Sequence, residues 1–219
     1  KIKKNDRKSY ATANNGNIIR IENGKVHLPK LGYVKAKISR EIPKEQRIIS
    51  ATVSQDASGK YYVSIVTEYE ANPTDIPISE ENALGLDYSS PSFYVDSEGN
   101  IADMPHWYRE AEKRLAREQR KLSRMKKGSN NYHKQKIKIA RAYEKVRFQR
   151  QDWQHKLSTQ LADKYDFICV EDLNMQAMAR GLHLAKATND NGFGQFRNML
   201  SYKMEERGKK LITIDKWFP

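Results

Sequence analysis

Residues 83–91 read ALGLDYSSP. Three apolar residues and a glycine run straight into Asp87, so a carboxylate falls at what reads as the most protected point of a strand. Residues 165–173, YDFICVEDL, repeat the arrangement and end on Glu171. Short β-branched runs of this kind suit strands buried on both faces of a parallel sheet. KLITID, residues 210–215, reads as a further buried strand. Between the last two, NDNGFGQFRNMLSYKMEERGKK (189–210) predicts a helix over Phe196, Leu200 and Met204. Asn189 to Asn191 are placed to cap it and Gly208 to stop it. Strand, helix, strand predicts a right-handed parallel crossover.

Working outward, SFYVDSEGN (92–100) predicts a second strand beside the first, running into a turn at Gly99-Asn100. From Trp107 to Lys156 the chain is dense in helix-favouring Lys, Arg, Glu and Gln. Leu115 and Leu122 share a stripe with Ala111 and Met125, and Lys127-Gly128-Ser129-Asn130 breaks it, with Gly128 as a stop and Ser129 or Asn130 as a new cap. The second helix carries Ile137, Ala140, Tyr143, Trp153, Leu157 and Leu161, so the segment predicts a helical hairpin. The first third of the chain differs. VKAKIS (34–39) alternates Val34, Ala36 and Ile38 with polar residues, ISATVS (49–54) and YYVSIVTEY (61–69) flank a loop at QDASGK, and HLPKLG (27–32) marks a turn. Several short strands with little helix predict a small barrel or curled sheet. NPTDIPISEEN (72–82) reads as a linker. The expected organisation is a β-rich domain over 1–78 and an α/β domain over 79–219 with a basic helical insertion at about 105–164.

The chain has 219 residues, 38% hydrophobic and 31% charged, with a net charge of +13. That is polar for a globular protein but too rich in Ile, Leu, Val, Tyr and Phe for disorder. A surplus of this size points to a polyanion, most often nucleic acid, with an anionic membrane surface as the alternative. Residues 107–156 hold seventeen Lys or Arg against five Asp or Glu, so nearly all the surplus sits in the hairpin. The residues expected to meet phosphates are Arg109, Lys113, Arg114, Arg117, Arg120, Lys121, Arg124, Lys126, Lys127, Lys134, Lys138, Arg141, Arg147 and Arg150. No apolar run reaches the roughly 18 residues of a membrane span. The single Cys169 excludes a disulfide framework or a cysteine zinc cluster within these residues and fits a reducing cytosol.

Open α/β sheets carry functional groups at the carboxyl ends of their strands. Asp87 and Glu171 both sit there on this reading. Two carboxylates brought together repel, so one proton is retained or a cation sits between them. Hard oxygen ligands select Mg²⁺ or Mn²⁺, and a pair of such ions suits phosphodiester hydrolysis. Taken singly, each residue has a plainer role: a lone Asp or Glu after a strand is more often a turn former, cap or ion-pair partner. Asp172 is turned to the other face by alternation, Asp96 serves the turn in DSEGN, Asp215 is read as structural, and Phe193 and Phe196 are read as core.

These residues resemble a known family. GLDYSSPSFYVDSEGN (85–100) and FICVEDLNMQAMAR (167–180) look like the first and second RuvC motifs of TnpB proteins, transposon-encoded proteins also called OrfB and similar to type V CRISPR nucleases. RFQRQDWQHKLSTQLADKYD (147–166) and GFGQFRNMLSYKMEERGKKLITIDKWFP (192–219) match as well. KVHLPKLGYVKAKI (25–38) and TVSQDASGKYYVSI (52–65) look like the family's wedge region. The resemblance implies an RNase H-like RuvC core with a helical-hairpin insertion, preceded by a barrel-like wedge domain. It implies a divalent-metal-dependent DNA endonuclease directed by a transposon-derived guide RNA to double-stranded DNA, with no membrane and no small-molecule substrate, in a prokaryotic cytoplasm near the nucleoid. Asp87 and Glu171 match the first two metal-binding carboxylates. The family's third is an Asp after a four-cysteine zinc ribbon, and no ribbon cysteines are present here. The chain is therefore expected to begin inside the wedge, to stop before that Asp and the structural Zn²⁺, and to be inactive by itself. Two alternatives stay open: a guide-RNA- and DNA-binding protein without catalysis, such as a repressor or a transposition accessory protein, and a transposase that transfers DNA strands.

Overall fold

The computed structural model describes residues 8–71, 74, 76–77, 79–90, 92–174 and 191–215. Expectations that rest on residues 1–7, on much of the linker, on 175–190 and on the final DKWFP beyond Asp215 lie outside the described residues. The protein is mixed α/β and divides into two compact units, Lys1–Ala71 with His133–Arg141, and Asn72–Tyr132 with Ala142–Pro219.

The first unit holds β1 (Lys8–Ala13), β2 (Arg20–Glu22), β3 (Lys25–Leu28), β4 (Gly32–Lys35), β5 (Arg47–Gln55) and β6 (Tyr61–Glu68). They form two three-stranded antiparallel sheets, β1-β5-β6 and β2-β3-β4. Ile19, Val26, Leu28 and Ala51 make one core under both, with Ile21, Ile48, Val53, Val63 and Ile65 packed on it. The described pairings do not join the two sheets into a closed barrel. The QDASGK loop closes β5 on β6 through Asp56 N–H to Lys60 O and Gly59 N–H to Asp56 O, both at 2.9 Å, with Gly59 in the left-handed region. VKAKIS departs from the predicted strand: β4 stops at Lys35, and Val34 is exposed. Its partner β3 begins at Lys25, just past the Asn23-Gly24 turn, so no strand remains for β4 to pair with; Ala36 N–H closes on Gly24 O at 3.0 Å instead. Ala36 and Ile38 still reach the core without strand geometry.

The second unit follows with β7 (Ala83–Tyr88), β8 (Tyr94–Asp96), β9 (Ile101–Ala102), α1 (Trp107–Ser123), most of α2 (Asn130–Lys164), β10 (Phe167–Glu171), α3 (Phe193–Glu205) and β11 (Lys210–Ile214). One five-stranded sheet runs β11-β10-β7-β8-β9. β7, β10 and β11 are mutually parallel, whereas β8 and β9 are antiparallel additions. Asp96 builds the β8–β9 turn as expected: its carboxylate accepts from the backbone of Glu98 at 3.0 Å and Asn100 at 2.8 Å. One face of the sheet is covered by α3 and the C-terminal part of α2, where Leu84, Leu86, Ile168 and Val170 meet Phe193, Phe196, Leu200, Met204 and Leu161. Phe93 lies at the centre, edge-on to Trp153, Phe193 and Phe196 at 4.9, 5.4 and 5.0 Å. Full burial of such rings stabilises by about 1.5–3 kcal/mol each, which makes Phe193 and Phe196 core residues, as read from sequence.

Three sequence expectations change. β10 and β11 are not buried on both faces. β10 alternates, with Ile168 and Val170 buried and Phe167, Cys169 and Glu171 half-buried. β11 takes the end position of the sheet, and its Ile212 is exposed. The apolar runs reflect β-propensity as much as burial. The helix after Asn191 is capped by Gly192 in the left-handed region, not by an Asn side chain. Its other end follows the prediction: Gly208 sits at positive φ, with Lys209 N–H on Met204 O at 2.9 Å and Gly208 N–H on Glu205 O at 3.0 Å, the paired bonds of a Schellman stop. In the hairpin, Ser129 caps α2 by accepting from Tyr132 N–H at 3.2 Å. Leu115 is buried and Leu161 joins the core, but Tyr143 is exposed and its hydroxyl accepts from Gln119 Nε2 at 2.8 Å.

The register of the parallel strands is tied at their amino ends by Asp166. Its carboxylate accepts from Asn82 Nδ2 at 2.9 Å and pairs with Lys209 Nζ at 3.0 Å. Its backbone bonds Asn82 O and Lys210 N–H. One residue thus links the entries of β7, β10 and β11. The hydrogen bond from Asn82 and the Lys209 ammonium hold its carboxyl below the ordinary carboxylate range. A folded-state value lower than the unfolded one adds stability that is fully present above the unfolded value and lost as pH falls through the folded one. Asp166→Asn is therefore expected to lower the urea midpoint at pH 7, and the gap between variant and parent to narrow as the pH falls below the unfolded carboxylate value of about 3.9. A gap that widened on acidification would contradict the assignment.

Candidate active site and nucleic-acid interface

β7 presents Leu84, Leu86 and Tyr88 to the core, which turns Ala83, Gly85 and Asp87 to the opposite, open face. β10 does the same with Ile168 and Val170 inward and Cys169 and Glu171 outward. The two strands are parallel and in register, Leu84 beside Ile168, Gly85 beside Cys169 and Leu86 beside Val170. One further step along both strands sets Asp87 and Glu171 on the same open face, at the carboxyl ends of neighbouring strands. Adjacent strands lie about 4.8 Å apart, so the two side chains leave the sheet as neighbours on one face. Asp87 is exposed and Glu171 half-buried. The protected position expected for Asp87 is thus replaced by an open one: the strand is buried on one side only, and alternation puts the carboxylate on the other.

The neighbours of this pair are defined. Asp172 faces the α3 side, where Arg197 donates to its carboxylate at 3.0 Å. Ile214, not Asp215, is in register with Glu171. Cys169 shares the open face, and burial pushes its thiol above the ordinary range, so it stays protonated and does not compete as a thiolate. Among the described residues no group of three or more His, Cys, Asp or Glu is placed to hold a metal. Hard carboxylate oxygens such as those of Asp87 and Glu171 are donors that would suit Mg²⁺ or Mn²⁺.

One positioning residue escaped sequence reading. Asn191 is fully buried, and its Nδ2 donates to Ser92 O at 3.0 Å and, at 3.4 Å, to Ser90 O and Tyr88 Oη. Its own carbonyl accepts from the buried Gln154 Nε2 of α2 at 2.7 Å. The chain directly after Asp87 is thus held from α2 and the entry to α3. Only the buried-polar type of the residue could have hinted at this, and in sequence it read as a surface cap.

The basic residues fall into two groups. Arg109, Lys113, Arg114, Arg117, Arg120 and Lys121 line the exposed side of α1, opposite Leu115. Arg124, Lys126 and Lys127 continue along the exposed connection, and Arg147 is exposed with its guanidinium 5.0 Å over the Phe148 ring. Lys134, Lys138 and Arg141 are exposed on the stretch of α2 that belongs to the first unit. Arg150 departs from this set: it is half-buried, with its side chain against Gly192. No described helix is long and apolar enough to cross a membrane.

The family model OrfB_IS605, described as "Probable transposase", matches residues 64–181. The chain is 33% identical over 198 residues to a "Putative RNA-guided DNA endonuclease" of Streptomyces pristinaespiralis, covering 90% of this chain and 48% of that protein. It is 31% identical over 208 residues to the "Putative RNA-guided DNA endonuclease InsQ" of Escherichia coli K12, covering 88% of this chain and 50% of that protein. The chain spans about half the length of these curated relatives. Its fold is similar to one in the cryo-EM structure of a Cas12f1–sgRNA–target DNA complex, with a TM-score of 0.50, 13% identity, and coverage of 78% of this chain and 36% of that one.

Proposed function

The chain belongs to the OrfB_IS605 family, the TnpB proteins, and from that premise we propose that it is the core of an RNA-guided, divalent-metal-dependent DNA endonuclease. The observation that carries this reading is the placement of Asp87 and Glu171 on one open face at the ends of adjacent parallel strands. Counted from β7, the sheet runs third, second, first, fourth, fifth strand, with only the second antiparallel to its neighbours. That order supports an RNase H-like, RuvC-type core. The names of the relatives support guide RNA and DNA as partners.

Asp87 and Glu171 would hold Mg²⁺ or Mn²⁺. When bound, a pair of such ions activates water on one side of a phosphodiester and stabilises the leaving oxygen on the other. The chain itself contributes the rest. The parallel register keeps the carboxylates side by side, Asn191 fixes the segment after Asp87, and the cationic face of α1 draws in a polyanion. The site is open on its face, which suits a long polymer better than a small molecule.

The test is cleavage of guide-matched DNA by the full-length protein loaded with its guide RNA. Cleavage is expected with Mg²⁺, abolished by chelation and restored by Mg²⁺ or Mn²⁺, with hydrolysed ends and no joined products. Strand-transfer products would favour a transposase. The second reading is guided binding without cleavage. Tight guided binding with no cleavage under any of these metals would establish it.

A further inference from the structure

The hydrogen-bond ladder between β7 and β10 ends one step short of the carboxylates, at Leu86 beside Val170. Asp87 is paired on its other side, with Val95 of β8, and Glu171 on its other side, with Ile214 of β11. Among the described pairings no rung therefore joins the two residues to each other. Helix α3 supplies a tie from behind the sheet. Asn191, at its entry, donates to Ser90 O, Ser92 O and Tyr88 Oη, directly after Asp87. Arg197, in its second turn, donates from Nη1 to Asp172 Oδ1 at 3.0 Å, directly after Glu171. The helix is itself anchored to α2. The buried Lys203 donates to His155 O and Ser158 Oγ at 2.7 Å and to Thr159 Oγ1 at 2.8 Å, which uses all three donors of its ammonium group. Gln154 Nε2 adds a bond to Asn191 O at 2.7 Å.

We propose that Arg197 is a positioning residue for Glu171, and that α3 sets the spacing of the two carboxylates through Arg197 and Asn191 together. Asp172 follows Glu171 directly, and consecutive side chains of an extended strand leave on opposite faces. Drawing Asp172 toward α3 therefore turns Glu171 to the open face, at the point where β10 has lost its rung to β7. Asp172 N–H on Ile214 O at 2.8 Å holds the same residue from the β11 side. Stability does not account for the pair. Its side chains are 29% and 66% exposed, and ion pairs of that kind contribute little. Direction does account for it. A planar guanidinium fixes the angle of its partner, and a shift of about 1 Å beside the reacting atoms lowers a rate by up to about 100-fold. A phosphate-binding role fits less well, because Arg197 reaches the strand end from the covered side of the sheet and is already paired. The role rests on the metal-dependent reading of the carboxylate pair and deepens it.

The experiment measures Mn²⁺ binding to the full-length guided protein without DNA, by electron paramagnetic resonance, and then kcat and KM of cleavage separately. Arg197→Gln is expected to weaken Mn²⁺ binding and to lower kcat, each by about tenfold or more. KM and target-DNA affinity should stay within about twofold, and the melting midpoint close to wild type. The swapped pair, Arg197→Asp with Asp172→Arg, is expected to recover most of both losses, because it restores the tie with the charges exchanged. Asp172→Ala should match Arg197→Gln, and the two combined should do no more harm than either one. Unchanged Mn²⁺ affinity in Arg197→Gln, a loss of target-DNA affinity equal to the loss of rate, or a fall in melting midpoint large enough to explain the weaker metal binding would overturn the proposal. Glu171→Ala separates this role from the reading beneath it. Unchanged Mn²⁺ binding in Glu171→Ala means that the carboxylate pair holds no metal. Binding lost in Glu171→Ala but kept in Arg197→Gln overturns the role of Arg197 alone.

Discussion

Asp87→Ala and Glu171→Ala, each made in the full-length guided protein, are expected to lower DNA cleavage by on the order of 10³-fold or more and to leave guide binding and the melting midpoint close to wild type. The size of the effect follows from the role. A carboxylate that holds a cation contributes to the developing charge only through that cation, so removing it withdraws several kcal/mol at once. Stability should be spared because Asp87 is exposed and Glu171 is half-buried on the open face, away from the aromatic core. The double variant should be little worse than either single one, since groups that act as a unit are not additive. Asp96→Asn is the matched control: its carboxylate builds a turn, so cleavage should persist with at most a loss of stability. Full cleavage in both single variants would remove the pair from the mechanism.

Charge reversal of Arg117, Arg120, Lys121 and Arg124 to Glu is the second large effect. These four recur at helical spacing on one exposed face of α1 and its C-cap. If each meets a phosphate, the salt slope of nucleic-acid binding falls by roughly 0.7–0.9 per residue, and affinity at low salt drops by on the order of 10²-fold. Lys121 already lies 3.4 Å from Glu118, but a surface pair of this kind is weak and yields readily to phosphate. Filter binding across a salt series measures both quantities. An unchanged slope would make the face merely solvated. Arg150, half-buried against Gly192, should behave differently, with loss of stability preceding loss of affinity.

Local signals in the chain carried most of the α/β unit. β7, β10 and β11, the two helices of the hairpin, the Ser129 cap and the Gly208 stop are each written in a few adjacent residues, where propensity and capping act. The two carboxylates were legible as strand-end residues for the same reason. What was not legible depends on contacts far apart in sequence. Whether Asp87 points into the core or away from it is set by the pairing of β7 with β10 and by α3 covering one face only. VKAKIS alternates like a strand, yet its partner ends at a turn some ten residues earlier. Asn191 looks like a helix cap until Tyr88, Ser90 and Ser92, about a hundred residues upstream, are folded onto it. Asp166 carries no motif at all, although it ties three strands together. In the first unit β5 and β6 were foreseen as strands, whereas β1, β2 and β3 and the grouping into two sheets were not, because register between sheets leaves no local mark.

The most direct test of the account is to locate a bound ion. Crystals of the full-length protein grown with Mn²⁺ and measured at the manganese absorption edge are expected to show an anomalous peak on the open face of the sheet, about 2.1 Å from a carboxylate oxygen of both Asp87 and Glu171. An anomalous map with manganese bound at other carboxylates, and none between these two, would contradict it.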